Sequence, residues 1–567
     1  MNKIKMILIQ ADDSENHGTY FNSAPLGIHR IRKWLESEFR DGVEVSCFDP
    51  NLYTDAREAL NGLLEAVRFD IVGYSPLHDT LSRDIGHMLD AGDILPQALH
   101  IAGGQQAGLS RELLFRHVPH LSLIARGEGE KPLTELLEKV HGYGIDAIGR
   151  DPRQYLSRVR GFYIRDGEKS FFTGYSEPFT VEEFTRATLA VDFTDVGLDM
   201  YWDQLKAHYS AEQLGDPVLL GKILTIKPYT SNYCPMGCAF CSTTTFHRDG
   251  NGRTAKVIAI RKHDLAAYVR NLLLKNPQAR KVMFKDDLFF LRGGSRSDLL
   301  EDLQALEDVR NEIHALDGRG VTYHGKARVD TWVDPRTLTV DTRLLEATRR
   351  AGFTGVSMGV ETFDPDELEA YNKKLGPRGA EVNRLALHAC RRYGMNVVSY
   401  IILSGLYSTV KSLTQNVRWI TRSLSDGHVM RINDRLFSLP GTKIDLDLQE
   451  SGEGITLETD SPVVGHEHIR VRRVVSVFPR DPEAREVMDE FERSLASSRR
   501  EWQKRLGVSH WIPEVEGPHK MWLLNRILAG RAHLPAGESE RIEETLEGML
   551  LGYSGSHRSV SNEQTTA

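Results

Sequence analysis

The chain has 567 residues, 40% of them hydrophobic and 26% charged, and its formal net charge is −8. This composition is typical of a globular protein and leaves room for about three or four domains. Because the charge is mildly negative and no dense run of Lys and Arg occurs, we expect neither nucleic-acid binding nor attachment to an anionic membrane. The apolar runs are too short to cross a bilayer or to form a signal peptide, so the run at residues 5–9 is expected to be a strand.

The first 140 residues alternate short apolar runs with helical patterns. Between the first two runs, Ile28, Ile31 and Leu35 share one helical face. This alternation predicts a parallel sheet covered by helices on both faces, in a Rossmann-like domain that ends near residue 140. The predicted strands cover residues 5–9, 43–48, 70–74, 100–103 and 121–125.

Glycine and polar residues follow several of these predicted strands. They are Gly73, Gly103, Gly104, Gly127 and Glu128, together with a polar loop at residues 11–18. Ligands of parallel sheets bind at the carboxyl ends of the strands, and glycine lets the backbone approach a large planar ligand. We therefore expect a ligand site at this edge of the sheet. His17 and His78 are candidate ligands there, although a lone loop histidine is more often a solvated polar residue.

Three cysteines, Cys234, Cys238 and Cys241, stand in one short segment with the spacing C-x3-C-x2-C. Three thiolates from one loop can bind three irons of a [4Fe–4S] cluster and leave the fourth iron open. A structural zinc site usually needs four ligands, and a ferredoxin cluster needs a fourth cysteine. The other two cysteines, Cys47 and Cys390, are remote in sequence, so a cluster with an open iron is favoured, and zinc binding is the alternative.

Residues 221–450 again alternate strands and helices. Six such units curl into an open barrel whose functional groups gather at the carboxyl ends of the strands. The predicted strands cover residues 222–225, 281–287, 321–325, 355–361, 397–403 and 429–437. Polar side chains at the strand ends are Asp286, Asp287, Arg328, Glu361 and Ser404.

With these motifs, residues 228–442 resemble the radical S-adenosylmethionine (SAM) superfamily. Residues 1–140, with the turn Gly127-Glu-Gly-Glu, resemble the cobalamin-binding domain that precedes the radical SAM domain in one large subclass. The resemblance implies an α/β fold: a Rossmann-like domain over 1–140, a linker region over 141–220, a partial (β/α)6 barrel over 221–450, and a mainly helical C-terminal region over 451–567. Within the last region, the polar tail from Ser554 is expected to be disordered.

The resemblance also implies roles for the motif residues. Cys234, Cys238 and Cys241 would bind the cluster, whose open iron chelates the amino and carboxylate groups of SAM. Asp286 and Asp287 are both candidates to accept the SAM amino group, and a helix N-cap is the alternative for either. Arg328 would bind the SAM carboxylate or pair with Asp330. The remaining roles are adenine packing for Phe240, ribose contact or a basic partner for Glu361, and an adenine-side turn at Ser404.

Cobalamin is expected at Gly73, Gly103, Gly104, Gly127 and Glu128. The D-x-H-x2-G motif that supplies a histidine to cobalt in methionine synthase is absent, as is common in this subclass, so cobalamin would be held without a protein histidine. The alternative is a scaffold that keeps the fold and has lost the cofactor.

The function implied is a cobalamin-dependent radical SAM C-methyltransferase that acts on a small specialised metabolite, with a peptide as the alternative substrate. A second hypothesis is the same architecture with cyclisation, ring contraction or oxidation as its outcome. A third is a non-catalytic iron–sulfur or zinc-binding regulator. The expected electron donor is a flavodoxin or ferredoxin, and few cysteines with an oxygen-sensitive cluster favour the cytoplasm. The sequence identifies no catalytic residue beyond the cofactor ligands.

Overall fold

The computed structural model describes residues 3–13, 23–167, 169–251, 257–261, 263–291, 294–451, 456–508 and 513–561. In these residues the strands form a seven-stranded sheet, a six-stranded sheet and a two-stranded hairpin. The polar loop predicted at residues 11–18 lies outside the described residues from Ser14 onward, as does His17. In the described part of the chain, no helix combines the length and the apolar character that crossing a membrane requires.

The first sheet has the strand order β2-β1-β3-β4-β5-β6-β7. Its first five strands are parallel, which confirms the predicted Rossmann-like arrangement, and the last two are antiparallel. The sheet therefore continues past residue 140, where we predicted that the domain ends. The strands are β1 (Ile4–Gln10), β2 (Val43–Phe48), β3 (Ile71–Ser75), β4 (Leu99–Ala102), β5 (Leu121–Ala125), β6 (Phe162–Asp166) and β7 (Lys169–Phe172).

The second sheet is the partial barrel, with six parallel strands in the order β13-β12-β11-β10-β9-β8. The prediction of a strand at residues 222–225 is largely wrong, because a helix occupies 217–223 and the strand begins at Thr225. The strands are β8 (Thr225–Ile226), β9 (Lys281–Met283), β10 (Thr322–Arg328), β11 (Phe353–Glu361), β12 (Asn396–Ile402) and β13 (Val429–Asn433).

Helices cover both sheets and form most of the C-terminal region. The first twelve are α1 (Leu26–Phe39), α2 (Ala56–Ala66), α3 (Leu81–Ile94), α4 (Gly104–Ala107), α5 (Arg111–His117), α6 (Glu130–Tyr143), α7 (Ile145–Arg150), α8 (Pro152–Leu156), α9 (Val181–Leu189), α10 (Leu198–Lys206), α11 (Ala211–Leu214) and α12 (Pro217–Ile223). The others are α13 (Ser242–Asn251), α14 (Asp264–Lys275), α15 (Arg296–Asp317), α16 (Thr342–Ala351), α17 (Pro365–Ala370), α18 (Gly379–Arg392), α19 (Val410–Ser425), α20 (Lys443–Ser451), α21 (Pro482–Leu506), α22 (Pro513–Gly530) and α23 (Ala536–Ser561). Helix α23 thus includes the start of the tail that we predicted to be disordered, and residues 562–567 lie outside the described residues.

The apolar periodicity of the helices accounts for the core. In α19, Leu413, Val417 and Ile420 share one face and are fully buried, as is Leu35 of the predicted face of α1. Full burial of each such aliphatic side chain contributes about 1.5–3 kcal/mol to folding. One continuous apolar core connects the helices of the first sheet with those of the barrel, so the two sheets are held at a common interface.

A hairpin that we did not predict connects the C-terminal region to the first domain. It consists of β14 (Thr456–Val463) and β15 (His466–Val477). The turn packs on α3, where the Val464 carbonyl lies against Gly86 so closely that no side chain fits at that glycine. Beside it, His466 Nε2 lies 2.8 Å from Asp90 Oδ1. The hairpin therefore links the end of the barrel to the first sheet.

Candidate active site

The cysteine loop lies between β8 and α13, at the carboxyl end of the first barrel strand. Gly237 has φ = +67°, a left-handed conformation that glycine adopts without strain. Asn372 Nδ2 donates a hydrogen bond to the Gly237 carbonyl at 2.7 Å, and the Ala239 N–H donates to the Tyr371 carbonyl at 3.1 Å. Within the loop, the Cys241 N–H donates to the Cys238 carbonyl at 3.1 Å. The loop is thus folded tightly and anchored from outside.

The three cysteine thiols are free and half-buried. Burial raises the pKa of Cys234 to about 11, and the charges of Asp287 and the other two thiols act in the same direction. Burial also raises the pKa of Cys241. In the described part of the chain, no three His, Cys, Asp or Glu side chains converge to hold a single metal ion. A [4Fe–4S] cluster fits this donor set better than zinc does, because each thiolate binds a different iron, whose positive charge favours deprotonation.

Phe240 packs beside a buried polar network. Its ring meets the ring of Tyr371 edge-on, with centroids 5.4 Å apart and planes at 88°. The Tyr371 hydroxyl donates to Glu367 at 3.2 Å, and Glu367 also accepts hydrogen bonds from Thr362 at 2.6 Å and from Ser408. Burial raises the pKa of Glu367 to about 7. The network fixes the aromatic pair next to the cysteine loop.

The structure separates the two candidate aspartates. Asp286 is fully buried, and its carboxylate accepts hydrogen bonds from the Thr230 N–H at 3.0 Å, the Thr230 hydroxyl at 2.9 Å and the Ser231 hydroxyl at 2.5 Å. Asp286 therefore anchors the segment that leads into the cysteine loop. The Asp287 side chain is 30% exposed, lies 3.9 Å from Lys326, and raises the pKa of Cys234. Of the two, Asp287 is the one whose charge acts on Cys234 and Cys241.

Arg328 and Glu361 each have an internal partner. Arg328 forms a two-point ion pair with Asp330 at 2.8 and 3.0 Å and donates to the Lys373 carbonyl at 2.6 Å, so the alternative that we gave for Arg328 is present. Glu361 has φ = +66° and accepts a hydrogen bond from Lys373 Nζ at 3.0 Å, which is the basic partner that we gave as one role for it. The Lys373–Glu361 pair is buried, whereas in the other pair Arg328 is buried and Asp330 is 26% exposed.

Ser404 is fully buried, and in the described part of the chain its hydroxyl has no hydrogen-bond partner. Its carbonyl accepts from the Leu436 N–H at 2.7 Å. The next residue, Gly405, packs directly against the Tyr371 hydroxyl, so a side chain there would displace Tyr371. The predicted adenine-side turn is therefore adjacent to the aromatic pair of Phe240 and Tyr371.

A cavity lies between the carboxyl edge of the first sheet and the cysteine segment of the barrel. Its empty volume is about 900 Å³, including its open mouth. The wall from the first sheet contains all five residues predicted for cobalamin: Gly73, Gly103, Gly104, Gly127 and Glu128. The wall from the barrel side contains Tyr229, Asn232, Phe246 and His247. The structure thus brings the predicted strand-end residues together and places them opposite the cluster loop.

Backbone conformation keeps the first-sheet wall open. Gly104 and Gly127 have φ values of +82° and +84°, and a Cβ on Gly104 would lie 2.7 Å from Ser75 Oγ. Gly103 has an extended backbone, and its Cβ would make ordinary contact with Ala125 at 3.5 Å. A concave, mostly apolar wall with few polar groups is typical of a cofactor site.

Arg30 of α1 holds the Gly-Glu-Gly-Glu turn. Its guanidinium lies 2.5 Å from Glu130 and 3.4 Å from Glu128. Burial raises the pKa of Glu128 to about 7, although Arg30 opposes that shift. The ion pairs fix the turn at the mouth of the cavity.

His247, and not the candidate His78, lines the cavity. His78 Nε2 bonds to the Val474 carbonyl of the hairpin at 2.8 Å, and His78 does not line the cavity. His247 lies on α13 and lines the cavity. Burial lowers its pKa to about 4. The helical segment that follows the cysteine motif contains Phe246 and His247, and this segment could have indicated the barrel-side wall of the cavity.

Comparison with known proteins agrees with this geometry. Residues 229–420 match the model of the Radical SAM superfamily. A curated relative, the anaerobic magnesium-protoporphyrin IX monomethyl ester cyclase of Cereibacter sphaeroides, is 24% identical over 321 residues, which are 56% of this chain and 44% of that protein. An uncharacterized methyltransferase of Pyrococcus horikoshii is 20% identical over 406 residues, which are 71% of this chain and 74% of that protein. The match thus spans less than half of the first relative.

Two solved structures share the fold over nearly the whole chain. The radical SAM methyltransferase TsrM from Kitasatospora setae, with cobalamin and a [4Fe–4S] cluster bound, has a TM-score of 0.63 at 14% identity and covers 96% of this chain and 99% of its own. The cobalamin-dependent radical SAM enzyme OxsB, with aqua-cobalamin and SAM bound, has a TM-score of 0.61 at 15% identity and covers 100% of this chain and 82% of its own. The predicted fold class is thereby confirmed. Residues 229–420 thus match a superfamily whose members carry a [4Fe–4S] cluster and SAM, and the chain has the fold of these two cobalamin-dependent enzymes.

Proposed function

We propose that this protein is a cobalamin-dependent radical SAM methyltransferase that methylates an unactivated carbon of a small molecule. The observation that carries the proposal is the cavity between the carboxyl edge of the first sheet and the segment of the barrel that carries the cysteines. One of its walls is the glycine-rich edge of the first sheet, and the other begins at Tyr229, which precedes Cys234 by a few residues.

Cobalamin would lie against Gly73, Gly103, Gly104 and Gly127, where the backbone comes close to the ligand. When bound, cobalamin supplies the methyl group, and the cluster supplies the electron that cleaves SAM. The protein positions both cofactors and excludes water from the reacting carbon. Tyr229 and Phe246 close the cavity from the barrel side. His78, the described histidine that we considered as a ligand, is engaged elsewhere, so cobalamin would be held without this side chain.

SAM would occupy the barrel mouth between the cysteine loop and the strand ends. Asp287 would accept its amino group; two observations support this role, the effect of its charge on Cys234 and the partial exposure of its side chain. Phe240 and the backbone around Ser404 would flank the adenine. An oxygen-sensitive cluster favours a reducing cytoplasm and a flavodoxin or ferredoxin as electron donor.

Cyclisation of the substrate is the second candidate. The similarity to a magnesium-protoporphyrin monomethyl ester cyclase favours it. A cyclase and a methyltransferase of this fold share the cluster and the SAM site, and they differ in the products of SAM.

Anaerobic incubation of the reconstituted protein with SAM, hydroxocobalamin and dithionite tests the proposal. A methyltransferase converts SAM to S-adenosylhomocysteine in a cobalamin-dependent reaction and also forms 5′-deoxyadenosine. Formation of 5′-deoxyadenosine without S-adenosylhomocysteine would exclude methylation through cobalamin and leave cyclisation. Absence of both products would exclude radical SAM catalysis, and the Cys238→Ala variant is the matched control for background SAM breakdown.

A further inference from the structure

A second cavity adjoins the cobalamin cavity at Arg30 and Tyr229, which line both. Its empty volume is about 1070 Å³, including its open mouth. The wall is formed by the carboxyl edge of β1, the start of α1, helices α9 and α14, and the ends of two barrel strands. The side chains that matter for the argument are Gln10, Tyr229, Tyr268, Lys227 and Lys285.

Two lysines enter this cavity from neighbouring strands. Lys227 follows β8 directly, and Lys285 stands two residues beyond β9. Because Ile226 pairs with Val282 in a parallel ladder, both lysines stand at the carboxyl edge of the barrel, where functional groups gather. Lys227 is only 7% exposed, and Lys285 is half-buried.

The described wall of the cavity is positively charged. In the described part of the chain, the lining residues include three cations and no Asp or Glu. Arg30 is compensated from the adjoining cavity by Glu130 at 2.5 Å and Glu128 at 3.4 Å. Lys285 forms no ion pair with a described residue, and the charge of Lys326 acts with burial to lower its pKa.

Burial disfavours the protonated, charged form of a lysine side chain. Burial, with a smaller contribution from neighbouring lysines, lowers the pKa of Lys227 to about 7 and that of Lys285 to about 8. A bound anion would reverse this effect, since an opposite charge within a few ångströms favours the protonated form. Lysine binds phosphate and carboxylate groups as a point charge.

We infer that this cavity binds a carboxylate or phosphate group of the substrate, held between Lys227 and Lys285. The inference rests on the proposed function, because it takes the space beside Tyr229 and the cysteine loop as the substrate site. It narrows the substrate class to acidic small molecules. A substrate anchored there would lie next to the cobalamin cavity, because Arg30 and Tyr229 line both cavities.

The phosphodiester of cobalamin has the same chemistry as the proposed ligand, so the test must separate the two sources. Calorimetric titration with inorganic pyrophosphate and with malonate is carried out on the cluster-reconstituted protein, once without and once with hydroxocobalamin bound. We expect binding of at least one anion in both forms. Loss of anion binding on loading with cobalamin would overturn the inference, because the anion site would then belong to the cofactor. Absence of binding to both forms would overturn it as well.

Variants identify the site. Lys227→Met and Lys285→Met are each expected to weaken anion binding about tenfold or more, the effect of losing a charge-assisted hydrogen bond. Lys504→Met, on the exposed face of α21, is the matched control and keeps wild-type affinity. Unchanged affinity in the Lys227→Met/Lys285→Met double variant would overturn the inference.

Iron content and the thermal midpoint show whether these variants fold. If they do not, labelling of the wild-type protein with acetic anhydride replaces them, with mass spectrometry as readout. We expect pyrophosphate to slow acetylation of Lys227 and Lys285 and to leave Lys504 unaffected. Equal labelling with and without pyrophosphate would overturn the inference. SAM cleavage by the wild-type protein is measured separately, so failure of the proposed function is distinguished from failure of the anion site.

Discussion

The division of roles between two adjacent aspartates gives the sharpest prediction. The perturbation is Asp286→Asn, with Asp287→Asn as the matched control one residue away. Asp286 is fully buried and accepts hydrogen bonds from the Thr230 N–H, the Thr230 hydroxyl and the Ser231 hydroxyl at 2.5–3.0 Å. Asparagine keeps the shape, removes the charge and turns an amide NH2 toward these donors.

The magnitude follows from these contacts. Hydrogen bonds to a charged group contribute about 1.5–3 kcal/mol each, and asparagine retains one acceptor oxygen. Loss of one to two such bonds reduces the free energy of unfolding of the barrel by about 3 kcal/mol, which lowers the thermal midpoint by about 6–12 °C for a unit of this size. Asp287 is partly exposed, and its nearest cation, Lys326, is 3.9 Å away, so its replacement changes stability by less than about 0.5 kcal/mol.

The assay is thermal unfolding of the cluster-free protein, followed by tryptophan fluorescence, since Trp332 is fully buried in the barrel. SAM-dependent formation of 5′-deoxyadenosine by the reconstituted variants is the second readout. We expect Asp286→Asn to lower the midpoint and Asp287→Asn to lower SAM cleavage at an unchanged midpoint. A midpoint of Asp286→Asn within 2 °C of wild type, estimated on the same scale, would refute the assignment, as would an equal loss in Asp287→Asn.

Three further predictions concern the cluster, a buried ion pair and a buried acid. Cys238→Ala retains less than about half of the wild-type iron after anaerobic reconstitution, because three thiolates are needed for a stable [4Fe–4S] cluster; wild-type iron content would contradict the ligand assignment. Lys373→Met leaves the Glu361 carboxylate buried without the ammonium group that lies 3.0 Å away, so we expect the free energy of unfolding to fall by about 3–5 kcal/mol, as measured by chemical unfolding. A decrease below about 1 kcal/mol, which is typical of a surface ion pair, would argue that the pair is not buried in solution. Burial raises the pKa of Glu367 from 4.5 to about 7, so the folded protein holds a proton that the unfolded chain releases. The free energy of unfolding of the cluster-free protein therefore falls as the pH rises from about 5 to 8. Glu367→Gln does not titrate and flattens this pH dependence.

Local sequence signals were sufficient for the elements that carry the chemistry. The cysteine spacing predicted the cluster loop because all three ligands come from eight consecutive residues. The alternation of strands and helices predicted both parallel sheets, and the glycines that follow β3, β4 and β5 converge on one cavity because carboxyl ends of parallel strands share an edge.

Features that depend on long-range contacts could not be predicted in this way. The partners of the Gly-Glu-Gly-Glu turn come from α1, where Arg30 stands about a hundred residues away in sequence. The roles of Asp286 and Asp287 depend on how the chain leaves β9 at Met283, after which strict strand alternation no longer applies. The hairpin of β14 and β15 carries charged residues on much of its surface, and its apolar contacts with α3 involve few side chains, such as Val463 and Val471.

The measurement that tests the central claim most directly is cobalt content per chain after anaerobic reconstitution with iron, sulfide and hydroxocobalamin, followed by desalting. Wild-type protein is compared with Gly103→Leu, whose extended backbone accepts a side chain that fills the cavity, and with Gly149→Leu, which faces open space on α7. We predict about one cobalt per chain in wild type and Gly149→Leu, and little in Gly103→Leu at unchanged iron content. No cobalt in wild type, or equal cobalt in all three, would contradict cobalamin binding in this cavity.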